Sequence, residues 1–163
     1  MSPMTLLDEL LAANEAANRP ELLDQRPTRR LAVVTCMDAR IDVFAVLGLE
    51  LGDAHIVRNA GGRLTDDVLR SLALSSSVLG VDTVVVMQHT KCGLEGATDA
   101  DLRARTGADL DFLPISDHEA SLRADIERLS GTPYLSALRT IAGFVYDVDT
   151  GRVEDVVRWQ RPG

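Results

Sequence analysis

The sequence predicts an α/β fold in a single domain spanning residues 1–163, with a mostly parallel central β-sheet flanked by helices. Apolar runs of strand length recur at 31–36, 83–87 and 141–147, as expected for strands that are covered on both faces. Segments with helical spacing lie between these runs, which indicates right-handed βαβ units. A length of 163 residues also suits one domain with its own core.

The N-terminal part of the chain, residues 1–30, is interpreted as a helical arm and a connector. Leucine and alanine residues at helical spacing predict an amphipathic helix over 5–18. Arg19 and Pro20 are expected to end this helix, because proline disrupts the helical hydrogen bonding. The apolar face of the helix packs either on its own domain or across a dimer, and both alternatives stay open.

The first strand is followed by a short helix, a second strand and a longer helix. Residues 41–47 predict the short helix, and 55–58 predict the second strand. That strand leads into a turn at 59–62, where two glycines allow positive φ and close backbone approach. Thr65 is a good N-cap for a helix that runs to Gly80.

The second half of the chain has weaker signals. Leu94 is expected to start a short helical turn, and residues 99–117 are acidic and ambiguous. A cap within 116–117 predicts a helix that runs to Leu129, because three apolar side chains there share one face. Residues 153–159 predict an edge strand or a tail.

The composition argues against several classes of function. The net charge of −8 would repel a nucleic acid, and an aromatic content of 4% leaves few side chains for base stacking. No apolar stretch approaches the ~20 residues of a membrane span, so no membrane partner is expected. The N-terminus does not resemble a secretion signal, and a cytoplasmic location is therefore predicted.

Two cysteines and one histidine follow strands that are expected to be neighbours. Cys36 ends the first strand, and His89 and Cys92 follow the third. Parallel strands place such residues at one edge of the sheet, where open α/β sheets bind ligands. Thiolate and imidazole are typical zinc ligands, and a catalytic site uses only three protein ligands. For either cysteine alone, the competing interpretation is a buried free thiol that packs as a small hydrophobe.

The remaining histidines fit poorly as a fourth ligand. His55 is interpreted as a packed or edge-strand histidine, and His118 as a solvated residue near a helix start. The predicted metal therefore has an open position, which water or Asp38 could fill. Asp38 and Arg40 lie two residues apart, either as a surface ion pair or as a functional pair in which Arg40 orients an ionised Asp38.

Three motifs follow one another along the chain: 36–40 (CMDAR), 58–61 (RNAG) and 89–93 (HTKCG). Together they resemble the β-class carbonic anhydrases, in particular their short prokaryotic branch. The resemblance implies one Zn²⁺ per subunit on the three ligands, with the Asp-Arg pair as a catalytic dyad. It also implies a homodimer or a dimer of dimers, with active sites at the subunit interface. One departure is Lys91, which stands where relatives often carry aspartate and is interpreted as a solvated lysine.

The expected reaction is reversible hydration of CO2 to bicarbonate and a proton by zinc-bound hydroxide. Asp38 would orient the metal-bound water in an open site, or bind zinc itself in a closed one. Two other functions stay open: hydrolysis of COS or CS2 on the same fold, and a non-catalytic zinc-binding regulatory domain. The expected wall residues of a small apolar CO2 pocket are Ile41, Val43, Asn59, Ala60, Gly61 and Gly93.

Overall fold

The computed structural model describes residues 4–18 and 21–163 and centres on one five-stranded sheet. In chain order the strands are β1 (Leu31–Cys36), β2 (Ala54–Asn59), β3 (Thr83–His89), β4 (Thr140–Asp147) and β5 (Arg152–Gln160). Their order across the sheet is β2-β1-β3-β4-β5. The first four are parallel, and β5 runs antiparallel to β4 at the edge. The predicted single-domain α/β fold with a mostly parallel sheet is confirmed.

Five α-helices accompany the sheet in the part of the chain that the structure describes. They are α1 (Leu6–Ala16), α2 (Val43–Leu47), α3 (Asp66–Ser77), α4 (Asp99–Thr106) and α5 (His118–Ser130). Thr65 caps α3 through its side chain, and Asp117 caps α5 in the same way. None of these helices has both the length and the apolar character that crossing a bilayer requires.

The two faces of the sheet carry separate cores, and the alternation of side chains along β3 shows how they arise. Val84 and Val86 face α3 and α5, whose apolar sides close the first core. Val85 and Met87 belong to the second core, which α2 and the loops after β1 and β3 cover. By the same period of two, His89 points to the second face. The candidate site therefore lies on this face, at the carboxyl edge of the sheet.

The structure assigns the ambiguous stretch in the second half of the chain, and it contradicts one expectation there. Helix α4 occupies part of the ambiguous stretch, although none of its residues is buried. Its ends are stabilised by the side chain of Thr98 and by a left-handed Gly107, so no apolar stripe is needed. Leu94 does not start a helical turn, because its carbonyl accepts a hydrogen bond from the Ile115 amide at 2.9 Å in a short parallel bridge. Helix α3 also ends at Ser77, before the expected Gly80.

The N-terminal helix forms as predicted, but its apolar face is uncovered. Thr5 and Asp8 make a capping box at its start. The expected stop at Arg19 and Pro20 lies outside the described residues. No residue of α1 is buried, so packing on its own domain does not account for its apolar face. Four leucines are between 58% and 69% exposed: Leu6, Leu7, Leu10 and Leu11.

Candidate metal centre

Two neighbouring parallel strands bring the three predicted ligands together. Cys36 is the last residue of β1, and His89 is the last residue of β3 rather than part of the following loop. Cys92 lies in the turn three residues later. All three are buried, and their Sγ and imidazole nitrogen atoms lie within 4.8 Å of one another. The two Sγ atoms are 4.0 Å apart.

These donors fit a single zinc ion. Zinc–sulfur bonds of about 2.3 Å in a tetrahedral site place two sulfurs about 3.8 Å apart, close to the 4.0 Å between Cys36 and Cys92. His89 donates from Nδ1 to the Thr90 carbonyl oxygen at 2.8 Å, which fixes the tautomer and leaves Nε2 as the free lone pair. That Nε2 is buried and has no hydrogen-bond partner among the described residues. A metal ion would satisfy this otherwise orphaned nitrogen.

The two thiols lie within hydrogen-bonding distance of each other, and this contact shifts their pKa values in opposite directions. The hydrogen bond with the Cys92 thiol lowers the pKa of Cys36 well below its usual value. The same bond raises the pKa of Cys92, and burial acts in the same direction. The Gly61 amide also donates to Cys36 Sγ at 3.3 Å. The site therefore stabilises a first thiolate on Cys36, and a divalent cation would favour loss of the second proton.

Asp38 and Arg40 form a bidentate ion pair beside the three candidate ligands. Arg40 donates from Nε to Asp38 Oδ1 at 2.9 Å and from Nη2 to Oδ2 at 2.7 Å. These bonds hold the pKa of Asp38 far below its usual range, so the carboxylate is ionised at neutral pH. Arg40 Nη2 also reaches the Lys91 carbonyl oxygen at 2.9 Å. Asp38 Oδ2 lies 3.7 Å from His89 Nε2, at the edge of the candidate metal position.

A second arginine shapes the loop that carries this pair. Arg58 donates from Nε to the Cys36 carbonyl at 2.8 Å, from Nη1 to that of Ile41 at 3.1 Å and from Nη2 to that of Asp38 at 2.7 Å. Three carbonyls on one guanidinium fix the course of the turn after β1. In the sequence, Arg58 stands out only as part of the 58–61 motif. Its position at the end of β2, in register with Thr35 of β1, is the signal that could have revealed this contact.

The expected close backbone approach occurs at the paired glycines. Gly61 and Gly62 have φ values of 78° and 64°, in the left-handed region that favours glycine. A Cβ atom on Gly62 would lie 2.9 Å from the Thr35 carbonyl carbon and 3.0 Å from the Cys36 nitrogen. A side chain at this position would therefore displace the strand end that carries Cys36.

The predicted pocket residues do not all line one cavity. Gly93 lines a groove of about 480 Å³ against α4. Asn59 and Ala60 line another of about 270 Å³ beside Arg63. The Asn59 side chain is engaged with the Arg63 backbone, accepting from its amide at 2.9 Å and donating to its carbonyl at 2.7 Å. Ile41 is buried in the second core. The CO2 pocket stays a prediction.

The other singled-out side chains lie outside the ligand cluster. His55 is a packed histidine on edge strand β2, as expected, with both ring nitrogens hydrogen-bonded. His118 does begin a helix, but it is not solvated: its side chain is 18% exposed, and its Nδ1 lies 2.8 Å from Gln88 Oε1. The buried Gln88 amide needs this partner. Lys91 is exposed, and it pairs with Asp149 at 2.6 Å.

Comparison with known proteins identifies the family. The family model described as carbonic anhydrase matches residues 31–116, just over half of the chain. The chain is 38% identical to β-carbonic anhydrase 1 of Mycobacterium bovis, over 94% of its own length and 99% of that protein. It is 34% identical to a carbon disulfide hydrolase of Acidithiobacillus thiooxidans, over 77% of its own length and 76% of that protein.

Solved structures give the same result. The crystal structure of a carbonic anhydrase from Streptococcus mutans superposes with a TM-score of 0.85 at 44% sequence identity. The match covers 96% of this chain and all of that one. Sequence and fold thus agree with these relatives over nearly the whole length. The chain belongs to the β-carbonic anhydrase family.

Proposed function

We propose that this chain catalyses the reversible hydration of CO2 to bicarbonate and a proton, using one Zn²⁺ per subunit. The proposed ligands are Cys36, His89 and Cys92. The observation that supports this most is the buried cluster of two thiols and an unpartnered imidazole nitrogen beside an arginine-held carboxylate. The free cysteines suit the reducing cytoplasm, which is the location that we propose.

The zinc ion would supply a Lewis acid that lowers the pKa of a coordinated water. The protein's own contribution is to orient that water. Asp38 is ionised and acts only as a hydrogen-bond acceptor, so it fixes which lone pair of the water faces CO2. Arg40 donates a hydrogen bond to each carboxylate oxygen of Asp38 and thereby fixes the rotamer of this side chain. In a closed form of the same site, Asp38 would leave Arg40 and take the open position on the metal.

We keep the predicted pocket as part of this proposal. Ile41 and Gly61 would form its apolar walls, with Asn59, Ala60 and Gly93 at its rim. The Gly61 amide is directed at Cys36 Sγ, and the Asn59 amide at the Arg63 backbone. These two residues would therefore shape the pocket through their backbone course rather than by bonding substrate.

Stopped-flow CO2 hydration on protein of measured zinc content tests the proposed reaction. We expect CO2 hydration that is proportional to bound zinc, and much slower turnover of COS and CS2 in parallel assays. The second substrate class is included because a carbon disulfide hydrolase is 34% identical to this chain. Faster CS2 or COS turnover would overturn the choice of substrate. Full zinc occupancy with no turnover would instead support a non-catalytic zinc domain.

The rate should rise toward alkaline pH. Asp38 has a lowered pKa and is therefore already ionised in the neutral range, so its titration does not change the rate there. The ionisation that governs the rate would therefore be loss of a proton from the nucleophile, the water coordinated to the metal. Two thiolates neutralise the zinc charge more than three imidazoles do, so this proton should leave above the pH of ~7 typical of an all-histidine zinc site. A profile of kcat/KM that is flat from mildly acidic to basic pH would contradict this.

The uncovered helix α1 supports a homodimer, which could pair further into a dimer of dimers. β-Carbonic anhydrases are typically oligomeric, and the leucines of α1 form an exposed apolar face on a helix with no buried residue. We propose that this face packs on a second copy of the chain. Burial of several leucines would supply a large part of the association energy.

Leu7→Gln/Leu10→Gln/Leu11→Gln should convert the dimer to a monomer. Glutamine keeps the helix propensity of leucine and removes the apolar surface. Sedimentation velocity at matched concentration should show the mass of one chain. The control is Glu9→Gln/Glu15→Gln on the same helix, which should stay dimeric. A triple variant that sediments like wild type would contradict packing through α1.

A further inference from the structure

One buried contact that the proposed mechanism does not use is the ion pair between Arg63 and Asp125. Arg63 donates from Nε to Asp125 Oδ2 at 2.8 Å and from Nη2 to Oδ1 at 3.1 Å. The residues are 7% and 5% exposed. Asp125 lies beside Leu122 and Ile126 on the side of α5 that is buried against the sheet. Burying two charges is costly and often gives no net stability, so the pair calls for another explanation.

The backbone of Arg63 is tied to the turn that packs against Cys36. Asn59 and Arg63 are joined by two hydrogen bonds, of 2.9 Å and 2.7 Å, which close the turn 59–63. Within this turn the Gly61 amide donates to Cys36 Sγ. Any shift of Arg63 therefore moves the turn that fixes the first thiol.

The side chain of Arg63 is tied to the segment that packs against the Cys92 loop. Its Nη1 donates to the Leu113 carbonyl at 2.5 Å and lies 3.4 Å from that of Pro114. Leu113 has a φ of 53°, an unfavourable value for leucine that this contact helps to hold. Ile115, two residues after Leu113, bonds through its backbone to Leu94 and Gly96 across a parallel bridge. Leu94 and Gly96 lie two and four residues after Cys92.

We propose that Arg63 and Asp125 are positioning residues of the metal centre. One guanidinium joins the turn that fixes Cys36 to the segment that fixes the Cys92 loop, and Asp125 holds that guanidinium in place. The pair thereby maintains the Sγ–Sγ separation of 4.0 Å that suits one zinc ion. This inference rests on the proposed zinc site. Outer partners of metal ligands typically change metal affinity by about 10–100-fold, which is the effect expected here.

The test compares zinc affinity in two variants of the full chain. Arg63→Met/Asp125→Leu replaces both charges by apolar side chains of similar length, which a buried ion pair often tolerates without loss of stability. Arg63→Lys keeps the charge but loses the fork that bonds Asp125 and Leu113 together. Competition with a chromogenic chelator measures zinc affinity and release rate, and circular dichroism reports the fold. We expect zinc affinity to fall about 10–100-fold in the double variant and less in Arg63→Lys.

Arg128→Met is the matched control. Arg128 lies on α5 with Asp125 and bonds to the Leu64 carbonyl and to Asp66, but it forms no hydrogen bond with Leu113 or Asp125. It should change stability without changing zinc affinity. Wild-type zinc affinity in both folded test variants would overturn the inference, as would loss of the fold in both, because the pair would then be purely structural. A wild-type chain that binds no zinc would overturn the proposed function instead.

Discussion

Replacing Cys92 by serine is expected to abolish both zinc binding and CO2 hydration. A serine hydroxyl does not ionise near neutral pH, so the site would keep only one thiolate and one imidazole. It would also lose the hydrogen bond from the Cys92 thiol that lowers the pKa of Cys36. Zinc should fall from one ion per chain to a trace after dialysis, and the rate to below about one thousandth of wild type. Metal analysis and stopped-flow CO2 hydration on the same preparation measure the two effects.

Two variants control this experiment. Cys36→Ser should lose zinc in the same way, because both sulfurs belong to one cluster. Met37→Ala changes a neighbouring side chain that is 67% exposed, and it should keep full zinc and full rate. Circular dichroism should show an intact sheet in all three variants. One zinc ion per chain and a wild-type rate in Cys92→Ser would show that this thiol is not a ligand.

The centre of the sheet was largely predictable because β1 and β3 are buried on both faces. The apolar run at 31–36 coincides with β1, and the other central runs differ from the observed strands by one or two residues. Helix α4 was not predictable from periodicity, because its residues are exposed and its caps stabilise it. The apolar face of α1 was visible in the sequence, and the structure leaves it uncovered, so its packing on a second chain stays a proposal.

In the candidate site, too, some contacts were predictable from the sequence and others were not. That Cys36 and His89 would meet could be predicted, because they end neighbouring parallel strands and such ends share one edge of a sheet. The contact between Arg63 and Asp125 could not, since 62 positions separate them and no pattern pairs them. An acidic residue inside the apolar stripe of α5 was the one available signal. His118 was misassigned because its partner, Gln88, is a buried amide on another element.

The dyad distinguishes an enzyme from a structural zinc domain. In a structural site, Asp38 would complete the coordination of zinc, and Arg40 would have no chemical task. In the structure both Asp38 oxygens accept hydrogen bonds from Arg40 instead, while Oδ2 stays close to the candidate metal position. With zinc bound as proposed, this arrangement would leave an open place on the metal and an acceptor beside it.

Arg40→Ala should therefore lower kcat/KM for CO2 hydration by about 10²-fold or more, in the range found for groups that position a reacting proton. Zinc should remain at one ion per chain, because the side chain of Arg40 bonds to Asp38 and to the Lys91 carbonyl and not to the side chain of a proposed ligand. The pKa of Asp38 would rise toward its ordinary value of about 3.9, so the carboxylate would still be ionised at neutral pH. The loss would thus come from orientation rather than charge, and it should be nearly constant from pH 7 to about pH 9.

Arg40→Lys provides the matched control for this prediction. Lysine keeps the positive charge but cannot bond to both carboxylate oxygens in a fixed plane. If orientation is what matters, Arg40→Lys should recover only a small part of the rate lost in Arg40→Ala. Recovery to the wild-type rate would show instead that Arg40 acts through its charge alone. Wild-type rates in Arg40→Ala at equal zinc content would remove the dyad from the mechanism, since the carboxylate would then need no partner to direct it.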